Sequence, residues 1–93
     1  MKQFKQLIED NYQSIVDRGL IKEDTHYHKF VDKLYEEVSE VECAYEESME
    51  SVEEEIADVI LTALNMAKHF DIDIVRAMND KIEINKKRAD EGI

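Results

Sequence analysis

Ninety-three residues of 10.9 kDa, with 43% apolar and 38% charged side chains, suffice for one domain and one core and exclude a multidomain machine. Acidic residues outnumber basic ones 23 to 12, and a net charge of −11 opposes binding to a nucleic acid polymer. With no Pro and only two Gly the chain has almost no turn punctuation, which points to helices.

Phe4, Leu7, Ile8, Tyr12, Ile15 and Val16 recur at steps of three and four, predicting a first helix over about 3–18 that ends on Gly19 as a left-handed terminator. Tyr27, Phe30, Val31, Leu34, Val38, Val41 and Tyr45 continue that spacing in a longer second helix, with Asp24 or Thr25 placed to cap it. Its aromatic residues Tyr27, Phe30 and Tyr35 read as core. Ser51 and Glu54 fit a capping box for a third helix over about 52–70, along the stripe of Val52, Ile56, Val59, Ile60, Ala63, Leu64, Ala67 and Phe70. Asp71 or Asp73 can cap a fourth, in which Ile74, Ala77, Met78 and Ile82 share a side. No strand alternation, repeat or linker interrupts this pattern. The expectation is an all-α, four-helix antiparallel bundle occupying 1–93 as a single domain.

A lone cysteine, Cys43, forms no intrachain disulfide, and no apolar run reaches the length of an export signal or a membrane span. A cytoplasmic protein with no membrane partner is expected. His26 and His28 stand two apart, diverge on a helix and have no cysteine to complete a transition-metal site, so they stay unassigned.

The charge is segregated. From Leu34 to Ala67 there is no Lys, Arg or His, yet this stretch holds eleven acids, and outside it acids and bases balance at twelve each. Most of the eleven, among them Glu42, Glu46, Glu47, Glu50, Glu53 and Glu54, read as a solvated surface. Glu37 and Glu40 differ, because they border the apolar stripe of helix two. Glu55 and Asp58 border that of helix three, on a strip continued by Thr62, Asn65 and His69. A hairpin can turn the two strips together. Four carboxylates in one cleft repel and raise each other's pKa values unless a hard divalent cation lies among them, and Mg2+ is the natural ion, with Mn2+ a possible substitute.

Glu37-x-x-Glu40 followed by Glu55-x-x-Asp58 resembles the signature of the MazG-like, all-alpha nucleoside triphosphate pyrophosphohydrolases. The likeness extends to Lys81-x-x-x-Asn85-x-x-Arg88, similar to that family's basic C-terminal motif, and spans about residues 30–88. It implies hydrolysis of an NTP or dNTP between the α and β phosphates, releasing a nucleoside monophosphate and pyrophosphate. Glu37, Glu40, Glu55 and Asp58 would be the metal-binding and catalytic residues. Lys81, Asn85 and Arg88, which share a helix face, would meet the phosphates together with Lys33, one turn before Glu37.

Two other readings make different predictions. Phosphoribosyl-ATP pyrophosphohydrolase is similar in length and carboxylate-bearing helices, and the KxxxNxxR tail argues against it. A non-catalytic acidic helical module that binds a basic partner protein predicts no metal specificity. So short a bundle also leaves apolar faces uncovered, so a homodimer or homotetramer is expected.

Overall fold

The computed structural model describes residues 2–92, without the side chain of Lys2, so the two ends of the expected 1–93 domain lie outside the described residues. Four α-helices follow one another: α1 Lys2–Asp17, α2 Tyr27–Ala44, α3 Met49–His69 and α4 Ile74–Glu91, with no strand among the described residues. The all-α, four-helix expectation holds.

The helix ends show how the sequence sets these limits. Gly19, at φ 70°, terminates α1 as expected; its N–H donates to the Val16 carbonyl at 3.0 Å and that of Leu20 to Ile15 at 3.1 Å. The end of α3 has the same paired geometry without a glycine. Asp71 takes the left-handed conformation at φ 57°, donating to Lys68, while Ile72 donates to Ala67 at 2.9 Å.

Two expected caps are corrected. Neither Asp24 nor Thr25 caps α2; His26 does, accepting from the His28 N–H through Nδ1, because Thr25 Oγ1 is engaged with the Lys22 N–H at 2.7 Å. Helix α3 starts at Met49 on the cap Ser48, whose Oγ accepts from the Ser51 N–H at 3.1 Å. Ser51 is therefore already inside the helix that it was expected to cap. Asp73, one of the two candidates for α4, does cap it, accepting from the Arg76 N–H at 3.2 Å.

Helix α3 is the hub, packing along α2 and α1, whereas α4 touches α3 alone and buries none of its described residues. The Cα radius of gyration is 15.5 Å, against about 12 Å for a compact chain of this length, in keeping with an α4 that meets α3 but not α1 or α2. The buried apolar core is correspondingly small: Ile21, Phe30, Ala44, Val52, Leu64 and Ala67. A polar clasp ties α1 to α3. His69 bonds the Tyr12 hydroxyl through Nδ1 at 2.8 Å and, through Nε2, meets the Thr25 carbonyl at 3.0 Å, both in part-buried surroundings.

The rotation of α2 departs from the simple apolar-stripe expectation. Phe30, Glu37 and Ala44, two turns apart, are its buried residues, which puts Glu37 at the centre of the inner face, while Val38 is 55% exposed and Tyr35 73% exposed. Of the three aromatic residues read as core, only Phe30 is buried; Tyr27 and Tyr35 are exposed. The hairpin has turned a carboxylate inward and a good part of its apolar surface outward.

Candidate active site

Packing α2 along α3 brings three of the four expected carboxylates to a common point. Glu37, Glu55 and Asp58 each offer an oxygen within 4.8 Å of the others, with Glu37 buried, Glu55 half-buried and Asp58 exposed. Glu40, one turn beyond Glu37 and exposed, lies against Glu55 and so belongs to the same neighbourhood. Loss of hydration raises the Glu55 pKa, and hydrogen bonding to Glu40 and repulsion from Glu40, Asp58 and Glu37 raise it further.

Two oxygens here are unusual. Glu37 Oε2 and Glu55 Oε2 are both buried with no hydrogen-bond partner among the described residues, an arrangement costly for a carboxylate with nothing to meet it. The other oxygen of Glu37 is bound by Lys33 Nζ at 3.0 Å, and Lys33 also reaches Glu36 at 3.6 Å. That hydrogen bond, with the charges of Glu37, Glu36 and Glu40, raises the Lys33 pKa against the opposing effect of its own desolvation. A hard divalent cation fits this donor set: all-oxygen ligands, negatively charged and already converged.

A cavity of about 540 Å3 opens from the carboxylates toward α1, with Glu37 and Asp58 among its lining residues. Lys33 is part of the wall, as expected of a residue one turn from Glu37. Arg18 and Lys29, which the sequence reading missed, also line it. A signal for Lys29 was available, since Lys29, Lys33 and Glu37 follow one helix face at four-residue steps; Arg18 arrives only through the turn after α1 and left no such trace.

The structure does not bring Lys81, Asn85 and Arg88 to this cavity within one chain. All three are exposed on α4, which makes no contact with α1 or α2. Cys43 is exposed and apart from the cluster.

The all-helical fold and the acidic cluster of its central hairpin agree with the class of MazG-like, all-alpha nucleotide pyrophosphohydrolases, to which the family match assigns the chain. Within that class, the sequence profile of the phosphoribosyl-ATP pyrophosphohydrolase family matches residues 1–85, and the chain belongs to this family. Its function is accordingly of the pyrophosphohydrolase type, acting on an acid anhydride. No curated protein and no solved structure matches the chain.

Proposed function

We propose that the protein is a Mg2+-dependent hydrolase that cleaves a nucleoside or deoxynucleoside 5′-triphosphate between its α and β phosphates, yielding the monophosphate and pyrophosphate. The observation that carries this reading is the meeting of Glu37, Glu55 and Asp58 within 4.8 Å around two buried, unpartnered carboxylate oxygens. Glu37, Glu55 and Asp58 hold the cation, with Glu40 completing the set from beside Glu55. Mn2+, equally at home among oxygen ligands, is the expected substitute. The bound ion supplies neutralisation of phosphate oxygens and activation of water. Lys33, Arg18 and Lys29 hold and orient the phosphate chain from the cavity wall. One carboxylate of the cluster accepts a proton from the attacking water.

Phosphoribosyl-ATP as the substrate is a second reading, favoured by the family match over residues 1–85. Lys81 and Asn85 both lie inside that match, so the KxxxNxxR tail does not separate this family from the other reading. Both substrates present the same 5′-triphosphate to the same residues. The purified chain, incubated with Mg2+ and a panel of NTPs, dNTPs and phosphoribosyl-ATP, is expected to release pyrophosphate, and the preferred member of the panel decides between the readings. Release of orthophosphate alone, or no hydrolysis of any member, would contradict both.

Self-association is part of the proposal. Tyr35, Val38, Ile60 and Ile82 are each at least half exposed, and α4 stands off the hairpin with no partner in its own chain beyond α3. Pairing with a second copy, as a dimer or a dimer of dimers, covers this apolar surface and gives Lys81, Asn85 and Arg88 a neighbour's cleft to serve.

A further inference from the structure

Beyond the carboxylates, the cavity continues along α3. Asp58, Leu61, Thr62 and Asn65 recur at steps of three and four, so they follow one face of the helix into the cavity, and Asn65 stands about 10 Å along the axis from Asp58. At that far end two asparagines meet. Asn11 of α1 donates through Nδ2 to the Leu61 carbonyl at 3.0 Å and to Asn65 Oδ1 at 2.8 Å.

These two bonds fix the orientation of both amides. A backbone carbonyl only accepts, so the Leu61 contact identifies the nitrogen of Asn11, and the nitrogen of Asn11 in turn identifies the oxygen of Asn65. Asn65 Nδ2 remains as a donor and Asn11 Oδ1 as an acceptor, neither hydrogen-bonded among the described residues. Asn65 is only 7% exposed, yet both residues line the cavity, where Phe30 and Ile15 supply apolar wall. A clasp serving only to join α1 to α3 would be complete with the two bonds already made. The leftover donor and acceptor, on two hydrogen-bonded residues that both line a part-apolar recess, present a polarity pattern that a ligand can complete.

Resting on the nucleotide reading above, we infer that Asn11 and Asn65 recognise the base of the substrate. Asn65 Nδ2 donates to a ring nitrogen or carbonyl oxygen on the base edge, and Asn11 Oδ1 accepts from the adjacent amino or imino N–H. Every nucleobase carries such a neighbouring donor and acceptor, whereas ribose phosphate has no planar edge of this kind. The phosphates lie toward Glu37 and Asp58, and the sugar spans the stretch beside Leu61 and Thr62.

The test is binding of ribose 5-phosphate and of the nucleoside 5′-monophosphates of all four bases to the purified 93-residue chain, measured by titration calorimetry. Wild type is expected to bind at least one monophosphate tenfold or more tightly than ribose 5-phosphate. Asn65→Asp keeps the oxygen that Asn11 binds and turns the free donor into an acceptor. That variant is expected to lose the tenfold preference once its affinities are divided by its own affinity for ribose 5-phosphate. Should it fail to fold, Asn65→Ser, which brings no charge into the cavity, is measured in its place with the same expectation. A preference that survives the substitution, or equal binding of ribose 5-phosphate and every monophosphate by wild type, would overturn the inference. Pyrophosphate release by wild type is scored separately. An active enzyme with an unchanged base preference in the variant refutes the asparagine pair alone, whereas an inactive wild type refutes the hydrolase reading.

Discussion

The two faces of the α2–α3 hairpin invert the usual distribution of side chains. Inside, Glu37 is buried and Glu55 half-buried, each with an unpartnered oxygen; outside, Val38 and Ile60 stand more than half exposed. Stability alone would favour the opposite arrangement, because burying apolar groups gains free energy and burying charges costs it. The inversion is what the proposed function requires: a cation and phosphates would occupy the inner face and a second copy of the chain the outer.

The comparison can be broken at either face. Substitution on the inner face has the largest expected effect: Glu37→Gln or Asp58→Asn should lower pyrophosphate release by about a hundredfold or more, with the helical circular dichroism spectrum unchanged. Turnover within a fewfold of wild type in both variants would remove the inner face as the site. Ile60→Glu strikes the outer face. It should shift the sedimentation profile toward monomer, where an unaltered profile would show that Ile60 faces solvent in the functional state.

Acid titration sharpens the comparison further. Glu55 binds its proton more tightly when folded, so its stabilising contribution is fully present below the ordinary value of 4.5 and is lost as pH rises through the folded value. Without divalent ions, the melting temperature of Glu55→Gln should gain on that of wild type as pH climbs through that window, and a constant difference would contradict the burial of the charge. The smallest effect concerns neither face. Asp71 occupies a left-handed conformation that glycine adopts freely, so Asp71→Gly should raise the melting temperature by a few degrees at most.

How much of this was legible in the sequence depends on the physics each feature obeys. Helix number and order follow from period and caps, which are local, and Gly19 and Asp73 announced two of the ends. The caps of α2 and α3 were misplaced by a few residues because polar residues crowd both starts. His26 and Thr25 compete for the first, and only the loop bond to Lys22 decides between them. Helix rotation was harder still. Hydrophobicity alone put Val38 on the buried stripe and Glu37 at its border, whereas α2 turns Glu37 inward, with Lys33 beside it. Glu37, Glu55 and Asp58 were nonetheless recognisable from their i,i+3 spacing on two helices, and Asn65 from its place on the Glu55 strip. Asn11 was hidden, because it lies 50 residues from the carbonyl that it binds. The basic residues of α4 share a helix face, but their relation to a cleft depends on how chains assemble, which no single-chain pattern encodes.

The most direct test of the inner face is a melting titration with Mg2+ on wild type and on Glu37→Gln, with no nucleotide present. A cation bound by the folded state alone raises the melting temperature progressively with its concentration. Wild type is expected to show such a rise and Glu37→Gln to lose it. Equal shifts in the two proteins, or none in wild type at millimolar Mg2+, would contradict it.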